Sequence, residues 1–429
     1  MQDTASVLTD DFANLLARLP AGLDLDRLAQ ETKAIQRRRE LVGGAALLRI
    51  ALARGPGGLS LRQAAAWASM QGIAELSNPG VKYRLDQATD FLAAVVERLL
   101  AAKAPGAELR WPGRTLRLAD GTCVSKPGST GTDWRIHGVF DLGRGGFSHL
   151  ELTDRHGGEA LERGAPQPGE IRIGDRNYAR APVLRRFRAQ SGGAADFIVR
   201  LGWNALQLAN PAGKPFDLVG YLHCLPLDWG PHEVNLCASV GRDEPALAVR
   251  LIVQRKTPEA AEATRVALRR TAARKGNTLT PRSLVAAEFM ILATSLPRRG
   301  YSGKAILAAY RLRWQIELAF KRLKSLLHID RMPTWTELGS RSWLYAHLIL
   351  ALLCDDLSQD FLESSPRGLA RQRLHPITLG RAEDRADGID RHHHRPTRPR
   401  RHPHRPRHHP STSRQRTAKA KTPRPISSP

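Results

Sequence analysis

The hydrophobic period of the chain changes at Leu109. Upstream, stretches such as "DDFANLLARL", "GAALLRIALAR" and "LSLRQAAAWASMQG" space apolar residues about 3.6 apart, as helices with one buried face require. Downstream, "TLRLADGT", "DWRIHGVFDL", "FSHLELTD", "IRIGD" and "DFIVRLGW" alternate with period two between Gly, Pro and Asp turns, as strands do. "VLRRFRAQSG" reads as a helix between the last two. A chain that interleaves strands and helices in this way must fold around a sheet covered by helices. The expected class is therefore α/β, of the mixed α+β kind.

The pattern continues with short strands over 204–284, in "FDLVGYLHCLPL", "HEVNLCASVG" and "ALAVRLIVQR", followed by a charged helix. "EFMILATSL" returns to the earlier style. One long helix is expected over Ser302–Leu327, then a largely buried helix from "RSWLYAHLILALL" onward. Near the start, Asn78-Pro79-Gly80 reads as a break between two short helices, the second beginning at Val81. The pair fits a helix-turn-helix, with Lys82 and Arg84 as its DNA-facing residues, and fits an ordinary helical bundle equally well. The resulting boundaries are 1–108 (helical), 109–203 (core, first part), 204–284 (β-rich insertion), 285–366 (core, second part) and 367–429 (tail).

Charge narrows the partner. The formal net charge is +25, from 66 Lys+Arg against 41 Asp+Glu, and a balance of this size points to a polyanion, most often nucleic acid. About half of it, +13, lies in residues 367–429, where "RHHHRPTRPRRHPHRPRHHP" has too little apolar surface to form a core. That tail reads as a disordered basic arm, a His-rich metal-binding tract or an out-of-frame extension. The abrupt change in composition favours the last. The most apolar stretch, Leu344–Cys354, is about half the length that a bilayer span needs, and the N-terminus lacks a basic region before an apolar one. Four scattered cysteines without a CxxC fit a reducing cytoplasm.

Two acids follow strands of the same apolar alternation, Asp120 in "TLRLADGT" and Asp175 in "GEIRIGDRNY". Either alone is more often a turn former. If the two strands are neighbours, the carboxylates lie side by side. On the helix over Ser302–Leu327, Tyr310, Arg313, Glu317 and Lys324 fall on one stripe, away from an apolar face of Leu312, Ile316, Phe320, Leu323 and Leu327. On spacing alone this is a solvated face with an Arg313–Glu317 pair, although Trp314 beside it needs a partner. Two strand-borne carboxylates and one helix-borne carboxylate would suit a pair of Mg2+ ions. Trp134 fits an edge strand, Asp141 a turn, and His137, His149 and His328 structural roles.

The spacing Tyr310-x2-Arg313-x3-Glu317-x6-Lys324, with Asp120 and Asp175 upstream in order, resembles the Tyr-Arg-Glu-Lys signature of DDE transposases of insertion-sequence family four. The likeness covers about Leu59 to Arg367. Asn177 stands where the family's Asp-Arg-Gly-Tyr pattern has Gly. The resemblance implies an RNase H-like catalytic core with a β-rich insertion and a helical N-terminal DNA-binding domain. It also implies that Asp120, Asp175 and Glu317 bind two Mg2+ ions, with Mn2+ able to substitute. Arg313 and Lys324 would hold DNA phosphates, and Tyr310 would contact a phosphate or position the helix. Beside these, Lys321 lies near the stripe as a further phosphate contact, and Arg176 next to Asp175 fits a phosphate grip or a structural turn role equally well. The expected partners are terminal inverted repeats and target DNA, acted on by a homodimer in the cytoplasm at the nucleoid, with no membrane. Strand cleavage at element ends and transfer into target DNA is the activity expected. A nuclease of the same fold and a catalytically dead DNA-binding relic are the alternatives.

Overall fold

The computed structural model describes residues 12–37, 40–103, 111–241 and 244–364. All lie in one compact unit that spans Met1–Ile377. The expectations for the tail at 367–429 fall outside the described residues. Among the described residues, no helix is long and apolar enough to cross a membrane.

Helices come first: α1 (Leu25–Glu31), α2 (Gly44–Arg54), α3 (Leu61–Met70), α4 (Asn78–Gln87) and α5 (Thr89–Ala101). Their starts are written in the sequence. Ser60 caps α3 in a reciprocal capping box with Gln63, and the Ser77 hydroxyl accepts from Gly80 N–H at the start of α4. Asn78-Pro79-Gly80 is thus the first turn of a helix, not a break before one. Proline fits there because the first turn of a helix has no internal partner for its N–H. Both expected DNA-facing residues of α4 have acid neighbours: Lys82 donates to Asp86 at 2.5 Å, and Arg84 lies 3.6 Å from Glu40.

The sheet follows, with β1 (Thr115–Val124), β2 (Trp134–Asp141), β3 (Gly146–Asp154), β4 (Glu170–Gly174), α6 (Ala181–Gln190) and β5 (Asp196–Arg200). The segment at 204–284 supplies β6 (Leu208–Ala209), α7 (Leu218–His223), β7 (His232–Ala238), β8 (Leu247–Arg255) and α8 (Pro258–Lys275), and α9 (Pro281–Ala287) leads into β9 (Phe289–Thr294). The order across the nine-stranded sheet is β3-β2-β1-β4-β5-β9-β8-β7-β6. β1, β2 and β3 pair antiparallel, β4 and β5 run parallel to β1, and β9, β8, β7 and β6 continue antiparallel. The first five strands form the RNase H-like core. The strands of 204–284 extend that same sheet through β9. "FDLVGYLHCLPL" yields α7 instead of a strand, since Leu218, Val219 and Leu222 bury at helical spacing.

Period-two alternation divides the interior into two cores. Ile198 packs on one face of the sheet, and Phe197 and Val199 on the other. The first face carries α10 (Gly303–Tyr310), α11 (Trp314–Leu326) and α12 (Glu337–Ser364). The single helix expected over Ser302–Leu327 is divided by a 3-10 turn at Arg311–Arg313. The tighter turn leaves Leu312 only half-buried, while Ile316, Phe320 and Leu323 keep to the apolar face. β2 lies inside the sheet, so Trp134 is buried in an interior strand, not on an edge. Asp141 caps the following turn, accepting from Gly143 and Arg144 N–H, and also pairs with Arg117.

α12 packs against α2, α4 and α5, so the N-terminal helices share the core beneath α10 and α11. His347 sits at this junction. Its Nδ1 lies 2.8 Å from the Trp343 carbonyl oxygen, its ring stacks on Trp343, and burial pushes its pKa down to about 4. The folded protein holds this imidazole neutral, whereas the unfolded chain protonates it below about 6.5. Stability is therefore complete above about pH 6.5 and falls as pH drops toward 4, by on the order of 3 kcal/mol for this one group. His347→Gln is expected to flatten the pH dependence of the urea midpoint between about pH 7 and pH 5. Parallel curves for variant and wild type would remove His347 as a source of the acid sensitivity.

Candidate catalytic cleft

The cleft is built from the register of three parallel strands. Leu118 of β1 pairs with Ile173 of β4, and Ile173 with Ile198 of β5. All three side chains bury on one face of the sheet. Two residues farther along each strand direction stand Asp120, Asp175 and Arg200. Alternation keeps them on that same face. The two acids are therefore neighbours across β1 and β4, and the cation lies next to Asp175. Asp120 is not at a strand end as its sequence suggested, because β1 continues through Gly121 and Thr122 to Val124, paired with β2. Asp175 does end its strand. It caps a short 3-10 turn, Arg176–Tyr178, accepting from Asn177 N–H at 2.7 Å. Asn177 has no positive φ, so the turn does not require the glycine of the family pattern. The glycine that matters is Gly174: a Cβ there would meet Tyr178 Cδ2 at 3.0 Å, and its absence lets the turn fold back over the strand.

α11 brings the remaining groups over β1. Arg313 stands between two acids. Its Nη2 donates to Glu317 Oε1 and its Nη1 lies 3.8 Å from Asp120 Oδ2. Asp120, Glu317, Lys321 and Lys324 line one cleft of about 600 Å3, together with His328 and Arg331. Asp175 does not line it. Among the described residues, no group of three or more His, Cys, Asp and Glu side chains is close enough to hold a metal ion. Two carboxylates are adjacent, and the third is held across a guanidinium. Trp314 is half-exposed beside Arg313. Tyr310 departs from the expected stripe. It is buried in the core, and burial raises its pKa, so the phenol stays neutral close to Arg313, Arg200 and Asp175.

The electrostatics are those of a crowded acid site. Burial raises Asp120 to about 6, and the charges of Asp175 and Glu159 push in the same direction. The Gly121 N–H, which donates to Asp120 Oδ1 at 2.8 Å, and Arg313 oppose the shift. On the other side of Asp175 the field is positive. Burial, then Arg200 and Arg176, depress Lys256 to about 8, although its Nζ donates to the Ala287 carbonyl and the Thr264 hydroxyl. Arg200, Lys256 and Glu159 were not singled out in the sequence. Arg200 carries a readable signal, since it ends an apolar strand just as Asp175 does. Glu159 and Lys256 carry none, because only tertiary packing brings them near.

Burial and the neighbouring acids oppose ionisation of Asp120. Asp120→Asn is therefore expected to raise the thermal midpoint without divalent metal at pH 8, by at least about 2 °C. The gain should shrink as pH falls through about 6 toward 4, where the wild-type acid is protonated as well. An unchanged midpoint at pH 8 would mean that Asp120 does not sit in an opposing field.

Residues 111–353 match the family model for the transposase DDE domain, which is more than half of the chain. The putative transposase InsL for insertion sequence element IS186A of Escherichia coli strain K12 is 37% identical over 366 residues, covering 85% of this chain and 98% of that protein. The transposase for insertion sequence element IS421 of Escherichia coli is 36% identical over 367 residues, again covering 85% and 98%. A cryo-EM structure of the piggyBac transposase synaptic complex with hairpin DNA covers 89% of this chain and 84% of its own at 9% identity and TM-score 0.39, too distant to carry an argument. With its ordered acids, its Tyr-Arg-Glu-Lys spacing and its relatives among the insertion-sequence transposases, the chain belongs to the DDE transposases, on the branch of insertion-sequence family four.

Proposed function

We propose that this transposase cuts DNA at the terminal inverted repeats of an insertion sequence and joins the freed 3′ ends to target DNA. It would work as a homodimer in the cytoplasm, on the nucleoid. The observation that carries the reading is the β1–β4 register, which sets Asp120 beside Asp175 under a helix bearing Glu317. The donor set fits hard divalent cations: all oxygen, partly desolvated, and repelling without a counter-charge. Asp120, Asp175 and Glu317 would hold two Mg2+ ions, with Mn2+ able to substitute. When bound, such ions activate the attacking oxygen and stabilise the leaving one.

The chain's own residues do the rest. Lys321 and Lys324, on the wall that carries Glu317, hold phosphates of the end strand. Arg313 is paired with Glu317 and lies near Asp120, and it would turn from these acids to a phosphate when DNA binds. Arg176 is exposed beside Asp175 and faces the next phosphate along. Buried Tyr310 stays neutral and fixes the joint between α10 and α11, where its hydroxyl meets Arg313. Helices α1–α5 form the DNA-binding layer, and residues 204–284 widen the sheet beside the cleft.

The test uses purified protein and an oligonucleotide carrying the inverted repeats that flank the gene. Asp120→Ala and Asp175→Ala are expected to abolish Mg2+-dependent nicking while leaving end binding within a few-fold of wild type. Full nicking by either variant would remove that acid from the site. Cleavage without any joined product would favour a nuclease. Lys324→Ala is expected to weaken end binding and to make the log–log salt dependence shallower by about one. An unchanged slope would mean that Lys324 does not meet phosphate.

A further inference from the structure

Gly138 stands opposite Asp120 in the antiparallel register of β1 and β2. It lies in an interior strand, where glycine has no side chain to pack and loses more chain entropy than other residues. Its backbone is not the reason for it, because its φ is not positive. The reason is space. A Cβ at this position would sit 2.8 Å from Phe147 Cε1 and 2.9 Å from Phe320 Cζ. Phe320 is on α11, three residues beyond Glu317, and its ring therefore lies in the volume that any side chain at 138 would fill. The same ring packs on Phe147 with centroids 5.4 Å apart, and Phe147 meets Phe140 edge-on at 5.5 Å. α11 is in contact with both β1 and β2 here. The height of the Phe320 ring over the bare strand thus sets the height of α11. That height in turn sets how far Glu317 stands from Asp120, the cross-strand partner of Gly138.

We propose that Gly138 is a positioning residue for Glu317: its missing side chain seats Phe320 on the sheet and so holds the helix-borne acid near the strand-borne acids. A methyl group at 138 has two ways to make room. Phe147 is on β3, the edge strand, where its backbone is paired with Phe140 of β2 and its ring is already packed edge-on against Phe140. α11 hangs between the 3-10 turn at Arg311–Arg313 and His328, whose φ of 51° is left-handed, and these joints yield more readily than a strand. The helix is displaced, and Glu317 moves with it.

The inference rests on the reading of Asp120, Asp175 and Glu317 as metal ligands, and Mn2+ titration followed by electron paramagnetic resonance separates the two. In the full chain, Gly138→Ala is expected to weaken Mn2+ binding by about tenfold or more, the range seen when a ligand loses its support. End-DNA binding should fall less than Mn2+ binding, because the long, flexible lysine side chains of α11 reach a phosphate over a range of helix positions whereas a short carboxylate does not reach a metal. Adding Phe320→Leu to Gly138→Ala removes the clashing Cζ and should restore most of the affinity. Wild-type Mn2+ affinity in Gly138→Ala, or no recovery in the double variant, overturns the proposal and leaves the metal reading intact. Equal Mn2+ binding by wild type and Asp120→Asn overturns the metal reading itself. Should Gly138→Ala fail to fold, Phe320→Ala asks the same question from the helix: it unseats α11 and should also weaken Mn2+ binding, and an unchanged affinity would again overturn the proposal.

Discussion

Parallel pairing of β1, β4 and β5 is the constraint on which everything else in the cleft depends. Strand register is quantised, and a slip of one residue turns every side chain to the opposite face. The buried row Leu118, Ile173 and Ile198 fixes the register by demanding an apolar face. Once that row is buried, Asp120, Asp175 and Arg200 have no choice of direction. Ordinary hydrophobic burial therefore turns two acids and a cation to one face of the sheet, and the same core that stabilises the fold brings the two like-charged acids side by side.

The repulsion is eased by local devices. Gly121 N–H donates to Asp120, Asn177 N–H to Asp175, and Arg313 bridges from α11. None is sufficient, since Asp120 still sits near 6. A carboxylate in that condition gains more from a cation than one already satisfied by hydrogen bonds. Below the cleft the situation is different. Glu170 and Arg172 are fully buried, pair with each other, and have their remaining groups taken up by Arg117 and by loop carbonyls. This buried pair is satisfied, and the acid that faces the cleft is not.

The mixed class, the five core strands and the neighbouring acids were legible because alternation and strand ends are local signals. Asp120 was misplaced relative to its strand because Gly121-Thr122 reads as a turn. Here glycine serves a continuing strand whose partner β2 supplies the pairing. The break within Ser302–Leu327 was invisible because Arg311–Arg313 fits a helix by propensity, and the burial of Tyr310 just before it depends on tertiary packing. The same burial takes Tyr310 off the exposed stripe on which its spacing placed it. The 204–284 segment read as an addition to the core, whereas long-range pairing of β8 with β9 makes it part of one sheet. Glu159 and Lys256 reach the site through loops and cross-sheet packing, which no window of sequence contains.

The dependence of the N-terminal helices on α12 sets a timetable for the chain. The Thr89 hydroxyl donates to the Leu338 carbonyl across 249 residues, and α2, α4 and α5 bury their apolar sides on the same late helix. At roughly 5–20 residues per second, those helices wait on the order of 10 to 50 s after leaving the ribosome before their cover is made. During that interval the apolar sides of the first helices lack their cover, so the N-terminal layer is completed only when the last third of the chain has been made.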